Sequence, residues 1–261
     1  MIERDAGFSA IAPVSLKDLV LKAIRDAILS GKLSPGSRLV ESRVSKQMQV
    51  AQNVVREALH ELEFQGFVIR QANKGTLVTD LSLDDVRQVY QLRIELEGFA
   101  VKLGRESGRP NEEDVGQLKQ ALEEMDGGVR REDFYEFSRA DLKFHEIIWR
   151  MSGNRFVERA LRAVATPQFA YVLIRSFHHT RLNLPAIVRQ HWDILDKLKT
   201  KDAETCRIFV RQMTEDFGRQ IEDCVLSSDR GSPKGLEPQN NFDTGVGAAR
   251  SRRTRRLKLK L

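Results

Sequence analysis

From Ser15 onward the chain sets apolar residues at helical spacing: Leu16, Leu19, Val20, Ala23, Ile24, Ala27 and Ile28, with Ser15 as N-cap and Gly31 as stop. Leu33-Ser34-Pro35-Gly36 is a turn signal. The pattern then predicts a short helix over Glu41 to Met48, a tight break near Gln49 to Gln52, and a longer helix from Asn53 to Gln65 closed by Gly66. FVIRQ and TLVTD flank Ala72-Asn73-Lys74-Gly75, which reads as two strands around a glycine-containing turn. From about residue 83 to 226 the pattern is a series of amphipathic helices with hardly any strand signal. Residues 227–261 are rich in Gly, Pro, Ser and Asn, then Arg and Lys, and lack the apolar content to fold alone.

These patterns define the expected organisation. The fold class is mainly α: an N-terminal winged helix-turn-helix followed by an all-α antiparallel helical bundle. The boundaries are a flexible N-terminus over 1–13, the winged helix-turn-helix over 14–80, the helical domain over 81–226, and a disordered basic tail over 227–261. Helix, helix, turn, helix and hairpin in so short a span would lay the second helix of the pair in a DNA major groove, with the hairpin as wing.

Composition sharpens little and excludes much. The 261 residues are 41% hydrophobic and 31% charged, with no apolar run long enough to span a bilayer. The opening MIERDAGFSA has no apolar core of a secretory signal. The two cysteines, Cys206 and Cys224, fall in a predicted helix, so no disulfide framework is expected and a cytoplasmic setting is. The net charge of +6 sits in the tail from Ser227, with nine Lys/Arg against three Asp/Glu. The body carries 34 of each sign, so charge alone does not argue for nucleic acid. The tail's RSRRTRRLKLK would add salt-sensitive, sequence-independent DNA affinity. Nucleophile elbows, phosphate-cradling glycine loops and Cys-rich zinc motifs are absent.

Helical geometry places ionisable residues where a core should be. At about 100° per residue, Phe134, Phe137, Asp141, His145 and Ile148 share one stripe, so Asp141 and His145 face inward one turn apart. On a later helix Ile187, Val188, Ile194, Leu195 and Leu198 surround His191. On the first helix of the bundle Val86, Val89, Tyr90, Leu96 and Ala100 surround Arg93, with Glu97 one turn on. A carboxylate and two imidazoles converging in a bundle suit a divalent transition metal such as zinc or nickel. Alternatively, each histidine is a hydrogen-bonded core residue and Asp141 pairs with Arg93, or Arg93 pairs with Glu97 along its helix.

The run from Leu19 to Val78 resembles the DNA-binding domain of the GntR family of bacterial regulators. The matching features are the Ile28-to-Gly36 stretch ending in Pro-Gly, Arg38-Leu39, and Val55-Arg56-Glu57-Ala58-Leu59 followed by Leu62, Gly66 and Gly75. The helical zone resembles the FadR-type sensor of that family, the FCD domain. The resemblance implies DNA contacts from Arg56, Gln52 and Asn53 at the start of the recognition helix, from Lys74 and Gly75 at the wing, and from Arg43 on the preceding helix. Bonding of Arg56 to Glu57 or a neighbouring acid is the other reading. Members carry Ser-Arg-Thr-Pro where this chain has Ala51-Gln52-Asn53-Val54, so an altered operator is expected.

Many such sensors hold a metal through an aspartate, a histidine one turn on and two later histidines. Asp141, His145 and His191 match the first three positions, and Met213 occupies the last, on a stripe with Cys206, Phe209, Val210 and Phe217. The resemblance then implies a three-ligand site, completed by Gln212 or by the effector, or no metal at all. Arg93 matches an arginine that often points into the family's effector cavity, and a buried guanidinium beside a metal is suited to holding a carboxylate by paired hydrogen bonds. The implied function is a homodimeric regulator, acting as a repressor that a small organic acid releases from a palindromic double-stranded operator. Two alternatives remain: a metal-dependent enzyme using Asp141, His145 and His191 on bound water, and an architectural DNA binder with a vestigial sensor.

Overall fold

The computed structural model describes residues 15–72, 74–176 and 182–231. The expected flexible N-terminus over 1–13, the turn residue Asn73 and the tail from 232 on lie outside the described residues.

Ser15 accepts a hydrogen bond from the Asp18 amide at 3.1 Å and starts α1 (Leu16–Leu29). The buried stripe of α1 is Val20, Leu21, Ile24, Ile28 and Leu29, while Leu16 and Leu19 are exposed. The periodicity was right, but the buried face takes in Leu21 and Leu29 instead of the first-turn leucines. Helices α2 (Glu41–Met48) and α3 (Gln52–Phe64) meet through Gln49, which takes a left-handed conformation with φ 55°. Val55, Ala58, Leu59 and Leu62 of α3 are fully buried against α1.

Strands β2 (Val68–Gln71) and β3 (Gly75–Val78) form the expected hairpin. A two-residue strand that the pattern did not show, β1 (Arg38–Leu39), pairs on the other side of β3, giving the antiparallel order β1-β3-β2. Two residues carry too little alternation to be read from sequence.

The second domain consists of α4 (Leu83–Glu106), α5 (Glu112–Arg130), α6 (Phe134–Met151), α7 (Arg155–Ser176), α8 (Leu184–Thr200) and α9 (Ala203–Gly231). Reciprocal capping boxes start α4 (Ser82 with Asp85) and α5 (Asn111 with Asp114). Helix α4 packs along α9, α5 along α6, and α8 against both α5 and α9. The expected tail boundary at 226 is too early, because α9 runs to Gly231. Ser227 to Arg230 include no helix breaker, so a change in composition preceded the end of the helix. None of the described helices is long and apolar enough to cross a membrane.

The two domains share a core. Ala170, Leu173 and Ile174 of α7 are buried in the same cluster as Ile24 and Leu59, with Phe134 and Tyr135 of α6 packed against it. Arg25 donates to the Tyr135 hydroxyl at 2.7 Å. Gly66, at φ +77°, ends α3 directly on the α7 backbone: a Cβ built there would lie 2.5 Å from the Thr166 carbonyl oxygen. Pro167, inside α7, lacks an N–H at this same turn.

This close approach separates two costs. Gly108 has an equivalent φ of +76° but nothing within 4 Å of its Cβ position. Gly108→Ala should therefore lose only the left-handed penalty, about 1–2 kcal/mol. Gly66→Ala should lose that and the backbone clash, more than about 3 kcal/mol together. Equilibrium urea unfolding of both variants checks the difference, and equal losses would show that α7 yields at the junction.

Candidate functional site

The polar residues expected inside the bundle converge there. Asp141 and His191 are each 7% exposed, Arg93 2% and Glu97 1%, with the His145 side chain at 12%. α6 contributes Asp141 and His145, α8 contributes His191, and α4 contributes Arg93 and Glu97.

His191 Nδ1 lies 2.8 Å from the Ile187 carbonyl oxygen, which can only accept, so Nδ1 carries the proton. The other nitrogen, Nε2, then turns toward Asp141 Oδ1 at 2.9 Å and His145 Nε2 at 3.3 Å. His145 presents Nδ1 to Glu97 Oε1 at 3.6 Å and Nε2 to Asp141 Oδ1 at 3.7 Å. With both rings neutral, two bare nitrogens and a carboxylate oxygen point at one spot. Metal–ligand bonds of about 2.0–2.2 Å place neighbouring donors about 3.0–3.5 Å apart, which these separations bracket. Among the described residues this is the group whose ligand atoms lie close enough to hold a metal ion, and Asp141 Oδ1 is buried without a hydrogen-bond partner. The donors fit a divalent cation; the Ile187 carbonyl fixes the His191 ring, and Glu97 faces the outer nitrogen of His145 at the longer distance of 3.6 Å.

Without a cation the cluster must accommodate its own charge. Burial pushes the His145 imidazole down to about 4, only partly offset by Glu97 and Asp141, so that ring is neutral. Burial also weakens His191 as a base, but the Asp141 charge and hydrogen bond and the Ile187 carbonyl outweigh it and shift that ring upward. Burial likewise opposes ionisation of Asp141, yet His191, His145 and Arg93 hold its carboxyl below the usual range.

Arg93 is engaged with Glu97. Its Nε and Nη2 donate to Glu97 Oε1 at 3.1 and 2.8 Å, and Nη1 donates to Gln168 Oε1. Gln168 in turn donates to the Tyr90 hydroxyl at 2.9 Å, and Thr214 donates to Glu97 Oε2 at 3.0 Å. The pairing of Asp141 with Arg93 is therefore replaced by pairing of Arg93 with Glu97. A cavity of about 40 Å³ lies beside this network, lined by Arg93, Glu97, Asp141, His145 and His191 and walled by apolar groups that include Phe169 and Met213. Gln212 is exposed and donates to Asp216 at 3.1 Å, so it does not reach the cavity.

In the first domain Gln52, Asn53 and Arg56 lie exposed on the first turns of α3, with Arg43 exposed on α2 and Lys74 and Gly75 exposed at the hairpin. Arg56 Nη2 donates to Glu41 Oε2 at 3.0 Å and Gln52 Nε2 to the same oxygen at 3.1 Å. A neighbouring acid thus holds Arg56, though it is Glu41 and not Glu57. Arg38 was missed. It is exposed on β1, with its guanidinium nitrogens 3.7 Å from the Cβ position of Gly75, and only the unseen third strand places it at the wing. Gln168, Tyr90 and Thr214 were also missed as network members. Gln168 carried no signal, since an amide on an apolar helix has no motif of its own.

Comparison with known proteins matches the two halves separately. Residues 16–78 match the model for bacterial regulatory proteins of the gntR family, and residues 88–216 match the FCD domain. The chain is 30% identical over 187 residues to YdhC of Bacillus subtilis (strain 168), described as an uncharacterized HTH-type transcriptional regulator, covering 70% of this chain and 81% of that one. It is 27% identical over 224 residues to the gluconate operon transcriptional repressor of Bacillus licheniformis, covering 84% and 89%. Among solved structures, E. coli McbR/YncC shares the fold with a TM-score of 0.62 at 21% identity, covering 83% of this chain and 100% of that one. The chain thus belongs to the GntR family, as a DNA-binding transcriptional regulator, and not an enzyme, whose winged helix-turn-helix precedes a helical ligand-sensing FCD domain.

Proposed function

We propose that the protein is a homodimeric cytoplasmic repressor whose FCD domain holds a divalent transition metal, zinc or nickel, at Asp141, His145 and His191, and which a small organic acid releases from a palindromic operator. One observation carries this reading: His191 Nε2, His145 Nε2 and Asp141 Oδ1 meet at one buried point, 2.9 to 3.7 Å from one another.

Held by Asp141, His145 and His191, a metal would supply positive charge to attract an anionic ligand. The chain's own residues do the rest. Glu97 and the Ile187 carbonyl aim the two histidines. Glu97 also neutralises Arg93, so Arg93 is not a free carboxylate fork. Three of its five N–H groups are committed, and two remain to orient an acid in the cavity. Met213 adds an apolar wall at the position where relatives would supply another ligand, leaving that side to the effector. The response reaches DNA through α6, which carries Asp141 and His145 and packs Phe134 and Tyr135 against the first domain's core two turns earlier. Movement of α6 would change the placement of α3, and two wings on one palindrome fit only one relative placement.

Protein purified without chelator should contain about one zinc or nickel per chain. Added zinc at roughly a hundredfold over Kd should stabilise stripped protein by about 2.7 kcal/mol, a rise in Tm of about 5–10 °C. His191→Ala should abolish both metal content and shift. Absence of metal together with an unmoved Tm would sink the metal site while leaving the DNA-binding assignment intact.

On DNA, Arg56→Ala should weaken the selected operator by about 1–3 kcal/mol and relax the base preference at one position. Lys74→Ala should weaken all sequences alike and flatten the salt dependence. Selection from random duplexes followed by quantitative band shifts reads both effects. Recovery of the family's common half-site unchanged would show that Gln52 and Asn53 do not read bases.

A metal-loaded repressor–operator complex should dissociate on addition of a small hydroxy or sugar acid and resist the matching neutral amide. Release by the amide, or by no acid in a broad panel, would exclude a carboxylate effector.

A further inference from the structure

The sensor cavity is not the largest one available to a ligand. A cleft of about 310 Å³ opens between the two domains, at the lower end of the ~300–1,000 Å³ usual for small-molecule sites. Its walls come from both domains: Phe64 and Gln65 at the end of α3, Phe67, then Tyr135, Ser138, Arg139, Leu142 and Lys143 of α6, and Thr166, Phe169 and Leu173 of α7.

Three features mark it as more than a seam between packed surfaces. First, two of its lining residues carry buried polar atoms without hydrogen-bond partners, Gln65 Oε1 and Thr166 Oγ1, and Thr166 is only 5% exposed. A buried polar atom left unpaired costs about 1–3 kcal/mol, which a ligand's hydroxyl would remove. Second, the lining is rich in aromatic rings, and Phe64 stands 65% exposed at the cleft, available to cover a flat guest. Third, two cations line it, Lys143 and Arg139. Both lean on one acid, Glu124, at 2.8 and 3.5 Å, and the Arg139 side chain remains 55% exposed. The acids in the lining are already bonded, Glu61 to Gln65 Nε2 and Glu146 to Arg162.

We infer that this inter-domain cleft is a second ligand site, separate from the metal cluster, for a small aromatic acid bearing a ring hydroxyl. The ring packs among Phe64, Phe67, Tyr135 and Leu142, the carboxylate takes Arg139 and Lys143, and the hydroxyl donates to Gln65 Oε1 or Thr166 Oγ1. Because Phe64 and Gln65 end the recognition helix while the remaining wall belongs to the sensor, an occupied cleft fixes the angle between α3 and the bundle. Phe169 lines both spaces, with its ring centroid 5.4 Å from that of His145, so the two sites are adjacent through one side chain.

The test is calorimetric titration of the full chain with 4-hydroxybenzoate, alongside phenol and benzoate, which each keep half of its chemistry. One binding event per chain is expected, with phenol and benzoate each at least about tenfold weaker. Ser138→Trp, at a partly exposed position on the α6 wall, should fill the cleft and cut affinity more than tenfold. Thr166→Val, close in size, should weaken 4-hydroxybenzoate by about three- to tenfold while leaving benzoate unchanged. Far-UV circular dichroism and Tm establish that each variant is folded, and Thr166→Val answers the question if Ser138→Trp is not. No binding to the wild type would overturn the inference. So would wild-type affinity in both folded variants, which would place the compound elsewhere, the metal-bearing cavity included.

Discussion

The sensor domain is organised around the burial of charge. Arg93, Glu97, Asp141 and His191 are each under a tenth exposed, and removing one partner from such a set costs about 3–5 kcal/mol because the other charge is stranded. Arg93 and Glu97 cancel each other, Gln168 accepts from Arg93 and donates to Tyr90, and Thr214 donates to Glu97. That leaves Asp141 with one negative charge and two histidines whose facing nitrogens are bare. A proton on His191 balances it, and so does a divalent cation, which leaves one positive charge over for an anion. The same geometry therefore distinguishes two charge states of the cavity, and only one of them attracts a carboxylate. Neutralising Arg93 internally is what makes the anion's welcome depend on the ion.

The second constraint is the junction. The first domain does not hang from a linker: α6 and α7 each serve two cores, with Phe134, on the same stripe as Asp141 and His145, packed against both, and with Ala170 and Leu173 of α7 in one core and Leu161 and Ala165 in another. A shared, closely packed core resists continuous deformation and moves between discrete packings. Gly66 against the Thr166 carbonyl fixes where α3 meets α7, and Arg25 on Tyr135 fixes where α1 meets α6. Movement that starts among Asp141, His145 and His191 consequently has a short path to the recognition helix, and the inter-domain cleft lies on that path.

Much of this was legible in the chain because the signals were local. Ser15, Gly31, Gly66 and the Ala72-to-Gly75 turn mark their elements, and 100° periodicity alone places Asp141, His145, His191 and Arg93 indoors. Periodicity locates a face but not its partner. It could not tell that Leu16 and Leu19 lie outside what α3 covers, or that Arg93 meets Glu97 on its own helix instead of Asp141 on another. Composition misjudged the end of α9, since a polar segment without a breaker continues a helix. Gln168 and β1 were invisible for a shared reason: each acquires its role only from a strand or helix distant in sequence.

Met213 bears on whether the site is a relic. A sensor core released from function would lose its costly polar contacts first, because a half-satisfied buried network is worse than an apolar one. Here the network behind the ligands is intact: Glu97 bonds Arg93 and Thr214, Gln168 bonds Arg93 and Tyr90, and His191 bonds Ile187. Within this cluster the atom left without a donor is Asp141 Oδ1, at the point where the three side chains meet. A supporting network that keeps its pairs right up to the converging donors is the distribution expected of a site built to receive something, and a methionine on its wall changes what is received more readily than it removes the site.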